Sequence, residues 1–446
     1  MSRFFFRKIG LLLALMISGC FLSACHGAKQ EDAFPNITHY TVPTDNSMRV
    51  TLYFPTEEPS AFSTEVRQIE LPENIRPGYA VVEQLIKGPQ SNLLPACPAG
   101  YTLNSVWIIG RVAYIDLHHD GAEAESLSSF RAVAARTLAP VFNTEYVLLT
   151  VNGKVPAGLT NGLERSSDEK ETNSVHLLVY YPDETETYLI PKPRAADKQT
   201  EIWVSAFSLL VNGNEPDGTK ACFDDQIKVT SGRLEADTMY VDFYVPETHA
   251  SSGKCYAAMA QTLLHNTSGL SRVVFTANGK PIDKAEGMTQ TPGEFTKESL
   301  AGLLGTQITT YFANENHGLT AVRRAVPLQE GSDALTPVYK MLEGLQGSED
   351  GLSSVLPEGI EKKDILGIKY DHNTAMLNLS ENFFQAIGLL DAEEEEQLVY
   401  ALVNALTDHG GIDSVVILQN GKTKDVMVQC IVIAKPLLRN PGLIHQ

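Results

Sequence analysis

The sequence predicts an α+β fold built as three tandem copies of one small ββαββαβ sandwich, with helices packed on one face of a β-sheet. Three recurring markers carry this reading. An aromatic strand start appears as Val50–Pro55 (VTLYFP), Leu177–Pro182 (LLVYYP) and Ile308–Ala313 (ITTYFA). A strand with a central Asp or Asn appears as AYIDL (113–117), MYVDF (239–243) and AMLNL (375–379). An Asn-Gly-Lys turn follows at 152–154, 278–280 and 420–422. The first Tyr of each start (Tyr53, Tyr180, Tyr311) precedes the Asn of its turn by 99, 98 and 109 residues. Asp116 to Lys154 and Asp242 to Lys280 both span 38 residues, and Asn378 to Lys422 spans 44. Ordered markers at near-constant spacing identify an internal triplication. The length agrees, since 446 residues at about 150 per domain correspond to about three domains.

Each element follows from its local pattern. The opening segments are short, β-branched and aromatic, hence strands. In copy one Val66–Leu71 (VRQIEL) supplies a second extended stretch. A helical pattern follows at Tyr79–Lys87 and stops at Gly88-Pro89, a C-terminal stop signal. Copy three matches with Pro337–Glu343 stopped at Gly344, and copy two with Ala206–Val211 before Asn212-Gly213. A hairpin then joins Ser105–Ile109 to Val112–Leu117 around Gly110-Arg111. Its copy-three turn is Asp371-His372-Asn373, where positive φ is tolerated. Second helices are expected over Ser128–Leu138, Cys255–Leu264 and Glu393–Leu406, and a last strand such as Tyr146–Val151 leads into Asn-Gly.

The first residues have another character. Arg3, Arg7 and Lys8 precede an apolar run from Ile9 to about Ala24, which is shorter than the ~20 residues a bilayer span needs. The pattern is that of a secretory signal peptide over 1–24. Its end, Leu22-Ser23-Ala24-Cys25, resembles a bacterial lipobox, which implies that the Cys25 thiol carries a diacylglyceryl lipid. Residues 25–48 are polar and rich in turn formers, and read as a tether. The whole chain carries 35 Lys and Arg against 54 Asp and Glu, a formal charge of −19. Removing 1–24 takes away three basic residues and no acid, leaving −22. Such a body is poorly suited to nucleic acid or to a polybasic membrane contact, both of which need clustered Lys and Arg. Outside the leader and Cys25, four cysteines remain: Cys97, Cys222, Cys255 and Cys430. An extracytoplasmic setting permits disulfides, and four cysteines allow three complete connectivities. Cys222 and Cys255 share one copy and are the most plausible pair, but buried free thiols are the leading reading.

The order YFP, LIKGP (Leu85–Pro89), Pro98-Ala-Gly100, AYIDL, helix and VNG resembles the GerM domain, found in bacterial sporulation and germination lipoproteins. Copy one carries the pattern best. Copy three keeps Leu356-Pro-Glu-Gly359 and AMLNLS but has Leu345 where the Gly-Pro motif wants Pro; copy two lacks both the Gly-Pro and the Pro-x-Gly turn. The expected domains are 49–164, 175–300 (diverged) and 307–440. Val155–Ser174 reads as a linker, Pro281–Thr306 as the completion of copy two, and Cys430–Ala434 as a further edge strand of copy three.

Gly421-Lys422-Thr423 looks like the end of a phosphate loop, but Val416 stands where that loop needs Gly, as do Leu148 and Val274 in the other copies; Asn-Gly is a turn dipeptide instead. His118-His119-Asp120 offers metal-ligand types, yet neighbouring strand residues point to opposite faces. The run Asp391–Glu396 reads as a helix start, with Asp391 as N-cap and carboxylates at the positive end of the helix dipole. Asp116 and Asp242 could be paired acids, but Asn378 in the third copy points to a shared turn-closing role. GxSxG, HExxH and metal-spaced Cys/His patterns do not occur. No cofactor, metal or catalytic residue is therefore assigned.

The resemblance implies a non-enzymatic, lipid-anchored scaffold on the outer face of the bacterial cytoplasmic membrane, in the space between mother cell and forespore, touching other envelope or sporulation-complex proteins. In the proposed mechanism three weak contacts combine through effective concentration. The alternatives are a peptidoglycan-binding module, with Trp107, Trp203 and the 16 Tyr as sugar-stacking groups, and a sensor lipoprotein signalling to a membrane kinase.

Overall fold

Each copy builds its elements in the expected order. The computed structural model describes residues 39–42, 47–58, 60–71, 76–121, 126–156, 158–159, 162–166, 173–198, 200–211, 213–247, 253–345 and 351–445; the leader, Cys25 and most of the tether lie outside them. Copy one contains β1 (Ser47–Pro55), β2 (Phe62–Glu70), α1 (Pro77–Lys87), β3 (Thr102–Ile109), β4 (Val112–His118), α2 (Ser128–Phe142), β5 (Tyr146–Val151) and β6 (Leu163–Arg165). Copy two contains β7 (Ser174–Pro182), β8 (Leu189–Asp197), α3 (Ile202–Leu210), β9 (Lys228–Glu235), β10 (Thr238–Tyr244), α4 (Gly253–Asn266), β11 (Arg272–Ala277), β12 (Lys280–Pro281) and β13 (Glu294–Thr296). Copy three contains β14 (Gly305–Asn314), β15 (Leu319–Pro327), α5 (Thr336–Leu342), β16 (Leu352–Ser353), β17 (Ile365–Asp371), β18 (Thr374–Leu379), α6 (Glu381–Ala386), α7 (Ala392–Thr407), β19 (Ser414–Gln419), β20 (Lys422–Thr423) and β21 (Leu437–Leu438).

The strands of a copy divide into two ladders. The opening hairpins β1–β2, β7–β8 and β14–β15 are antiparallel pairs separate from the larger sheet. In copies one and two the second helix supplies the reason, because its side chains occupy the free edge of the opening strand; in copy three the Tyr311 N–H meets Met341 of α5 and β16 pairs with the strand end. The Tyr53 N–H donates to Thr137 Oγ1 at 3.1 Å and the Tyr180 N–H to Thr262 Oγ1 at 3.0 Å. Asn266 reaches both the N–H and the C=O of Leu178, at 2.9 and 2.8 Å. An edge covered this way is closed to another strand. In the larger sheets, the central hairpin (β3–β4, β9–β10, β17–β18) is antiparallel, while β4–β5, β10–β11 and β18–β19 are parallel. The second helix is thus a crossover, as parallel neighbours require.

Two segments differ from expectation. The stretch 155–174 is not wholly linker, since β6 pairs antiparallel with β5. Cys430–Ala434 does not form the added edge strand of copy three; Leu437–Leu438 pairs with β19 instead. The cause is Glu395, whose carboxylate collects the backbone N–H groups of 428–431 and so withholds them from a ladder. Among the described residues no helix is long and apolar enough to cross a membrane.

Candidate functional site

The recurring markers meet in space. In copy one, Asp116 Oδ1 accepts from the Gly153 N–H at 2.8 Å and the Thr150 hydroxyl at 2.6 Å, while Oδ2 accepts from Asn104 Nδ2 at 2.7 Å. In copy two, Asp242 Oδ1 accepts from Gly279 N–H at 3.0 Å and from the Thr276 hydroxyl, and Oδ2 from the Thr230 hydroxyl at 2.7 Å. Burial pushes the Asp242 carboxyl up, but these donors outweigh it and leave its pKa below the ordinary value. In copy three Asn378 Oδ1 accepts from Gly421 N–H at 2.6 Å. The turns have φ of 50° and 75°, 53° and 75°, and 47° and 79° at their Asn and Gly. Positive φ at both central residues is the type I′ geometry that suits hairpins and that Asn-Gly adopts most readily. The carboxylate or amide on one strand therefore locks the turn at the end of its parallel neighbour.

Copy three has altered this lock. The bulge residues Asn104 and Thr230 both donate to the acid, whereas Leu366 occupies the bulge in copy three. Leu418 stands opposite Asn378, where Thr150 and Thr276 stand in the other copies. With two leucines in place of two donors, an amide in place of a carboxylate leaves no buried charge short of partners.

A second constellation lies under the opening hairpin and escaped the sequence reading. Arg67, Arg194 and Arg324 pair in register with Val50, Leu177 and Ile308. Each guanidinium sits over the second aromatic of the strand start: Phe54 at 5.5 Å, Tyr181 at 6.0 Å and Phe312 at 5.2 Å. Each also donates to carbonyls at or beyond the end of the first helix. Arg67 reaches Gly88 O at 2.6 Å, Arg324 reaches Gly344 O at 2.6 Å and Lys340 O at 3.0 Å, and Arg194 reaches Asn214 O at 2.5 Å. A cation at a helix C-terminus satisfies orphan carbonyls and complements the dipole. Spacings of 17, 17 and 16 residues from Val50, Leu177 and Ile308 were the available signal.

The other candidates fall apart or become structural. His118 contacts Asp120 and Asn152, while His119 stacks on Tyr101 with ring centroids 4.4 Å apart, so the two imidazoles serve different partners. Among the described residues no group of His, Cys, Asp and Glu is arranged to hold a metal ion. Asp391 is an N-cap, accepting from Glu393 and Glu394 N–H while Glu394 answers in a capping box. Glu395, one residue on, is fully buried and accepts backbone N–H bonds from Val428, Gln429, Cys430 and Ile431 at 3.1, 2.6, 3.2 and 2.9 Å.

The three copies pack against one another within the unit Tyr40–Gln446. Copies one and two share a core, in which Val112, Tyr146, Leu148 and Leu163 join the apolar residues of copy two. There Lys154 donates to Ser271 Oγ at 2.6 Å, and Lys297, whose pKa burial lowers to about 8, donates to Gly153 O. Copies two and three meet where Gln307 bonds Gly218 O at 2.5 Å and Lys192 at 2.8 Å. Copies one and three meet where Gly410 lies against Gly110; a Cβ on Gly410 would fall 2.1 Å from the Gly110 carbonyl oxygen. Arg76 donates to Ser332 Oγ at 2.8 Å and lies 4.1 Å over the Trp107 ring.

Between copies one and three is a cleft of about 690 Å³, within the range of ligand pockets. Copy one contributes Arg76, Val106 and Ile108; copy three contributes Asp333, the edge strand Leu366–Tyr370, Met376, Asn378, Leu418 and His409. Burial lowers the His409 pKa to about 4 against the pull of Asp333, and raises that of Tyr370. Leu366 remains 48% exposed. The altered lock of copy three is therefore also an apolar wall of the cleft.

A family model described as Germane, sporulation and spore germination, matches residues 51–156, 178–283 and 309–425. The chain belongs to the Germane family. Each matched stretch runs from an opening strand past its Asn-Gly turn, so every Germane copy includes its Asp or Asn lock and its arginine clamp. Among solved structures the chain is similar to the tandem GerMN domains of the sporulation protein GerM from Bacillus subtilis, at 17% identity over 61% of this chain and 98% of that one, with a TM-score of 0.27. It is similar too to the first GerMN domain of that protein, at 20% identity over 28% and 98%, with a TM-score of 0.23. No curated protein matches. Cys25, the expected lipid-anchor position, lies outside the described residues.

Proposed function

We propose that this Germane protein is a non-enzymatic, lipid-anchored scaffold acting outside the cytoplasm in spore formation or germination, and that it holds other envelope proteins. The observation that carries the reading is the copy-three wall of the cleft. Copies one and two spend the lock position on polar contacts, while copy three turns the same position into exposed leucine. Exposed apolar surface beside a concave site is typical of a protein-binding face. The mode of action differs from three modules on flexible linkers. Copies one and two share a core and copy three packs on both, so the copies do not act as independent modules on flexible linkers. The sugar-stacking alternative gains nothing here, since one face of each indole is covered, Trp107 by Arg76 and Trp203 by Gly232.

A fluorescent fusion followed through a sporulation time course tests the proposal. The natural chain is expected to gather at the engulfing membrane. A Leu366→Asn, Leu418→Thr variant, which returns lock-type polar groups to the wall, should stay on the membrane yet spread evenly. A Cys25→Ala variant should leave the membrane fraction. A uniform signal in vegetative cells, with no enrichment during sporulation, would overturn the proposal in favour of a cell-wall or sensor role.

A further inference from the structure

We propose that Cys222 and Cys255 are an oxidative modification site, closed as an intrachain disulfide that ties the segment after α3 to the first turn of α4 in copy two. Both are free thiols of one core, Cys255 buried within it and Cys222 packed against it, and the two side chains are close enough to interact with each other. Both backbones are held in place. The N–H groups of Cys222 and Phe223 donate to Leu210 O at 3.0 and 3.1 Å, and Cys255 is 4% exposed within α4. The other thiols sit elsewhere, Cys97 buried in the core of copy one and Cys430 exposed beside Glu395 in copy three. Of the three complete connectivities open to four cysteines, the geometry thus leaves one adjacent pair.

The site has a structural task in copy two. In copy one the segment after the first helix is pinned by Glu65, which accepts from the N–H groups of Gln90 and Ser91 at 3.0 and 3.1 Å and from the Ser91 hydroxyl at 2.8 Å. Glu65 lies two residues before the clamp Arg67; the residue two before Arg194 is Lys192, which accepts no hydrogen bond. Copy two also lacks the Gly-Pro stop and the Pro-x-Gly turn. A covalent tie from Cys222 replaces that missing pin.

The chemistry is thiol–disulfide exchange. One cysteine thiolate attacks an incoming disulfide, either a small-molecule disulfide or an oxidoreductase, and expels one thiolate. The second cysteine attacks the mixed disulfide and expels the other. The two cysteines lose two electrons and two protons, and the incoming disulfide leaves as two thiols. Burial raises the Cys222 thiol well above its ordinary pKa, so the folded chain offers little thiolate. The bond therefore forms while the chain folds, and is shielded afterwards. Oxidation in the cell rests on the extracytoplasmic location proposed above.

The test uses the full chain in two samples: denatured, reduced and refolded in a glutathione redox buffer, and isolated from membranes of its own organism with thiols blocked by N-ethylmaleimide. Trypsin releases Cys222 in peptide 221–228 and Cys255 in peptide 255–272. These two peptides joined by a reductant-sensitive bond in both samples is the expected result. Joined peptides after refolding but blocked thiols in the membrane sample support the site and sink the location reading. Blocked thiols at both positions after refolding overturn the site. Reductant should also lower the melting temperature of the refolded chain, and should do so for Cys97→Ser but not for Cys222→Ser. An equal fall in Cys222→Ser would count against the proposal.

Discussion

A carboxylate wholly removed from water is unfavourable unless its lone pairs are filled, and Glu395 fills them with four successive backbone N–H groups. Replacing it by Ala leaves those donors buried and unpaired. Glu395→Ala should cost at least about 3 kcal/mol of unfolding free energy, given ~1–3 kcal/mol for each group stranded. Urea unfolding measures the loss, and amide exchange at 428–431 should quicken most. A cost below about 1 kcal/mol would mean that the loop repairs itself with water. At this scale the sequence was half legible. Asp391 announced itself as an N-cap because a helix start needs an acceptor there, and the structure places it so. Glu395 looked like one more exposed acid in a run. Its burial depends on a loop 33 residues further along the chain, which no local pattern encodes. The Asp116, Asp242 and Asn378 series was legible for the opposite reason. Three copies of one position restrict the roles it can play, and with Asn378 unable to serve as a general acid, turn closing is the role that fits all three.

At the scale of elements, the arginine clamp joins three parts: the aromatic strand start, the second strand and the end of the first helix. Arg67 is 6% exposed and bonds Gly88 O and Gln84, so Arg67→Met should cost about 2–3 kcal/mol, as expected for lost charged hydrogen bonds in a buried place. Arg194, more exposed, should cost less when changed in the same way. The order of urea midpoints checks both, and equal losses would contradict the burial argument. Strand and helix order was readable throughout, because each element of a copy has a short, clear period and a Gly or Asn stop. The covering of the sheets was readable only in part. Tyr146–Val151 and Ser414–Leu418 are buried at every residue, on both faces, and an unbroken apolar run hints at this. What covers the outer face differs in each case. Copy two covers β5, and Tyr40 and Val42 pack against Val416 and Leu418 of β19. Identical modules give no local clue to which neighbour each will meet.

For the whole molecule, contacts between copies one and two, two and three, and one and three close a ring, so the copies should unfold together. Calorimetry is expected to show one transition, not three. Its midpoint should fall with acid. His409 and His265 are both held neutral by burial, His409 with its pKa brought from 6.5 to about 4 and His265 also well below the ordinary value. The unfolded chain takes up their protons near 6.5 and the folded chain does not, so stability is full above 6.5 and drains away as pH falls toward 4. His409→Gln should flatten part of that decline, and an unchanged slope would remove His409 from the account. The short segment Tyr40–Val42 lies against copy three. Its Tyr40 N–H bonds Ala434 O at 2.7 Å and its hydroxyl bonds Asp371, both in copy three, although the chain then enters copy one at Ser47. A pull on the chain ahead of residue 40 is therefore borne first by the last-made copy, along a strap lying on its sheet. Traction from a membrane would load the ring at the joint between its first and third members, and the cleft between them is the part of the molecule that such tension would open.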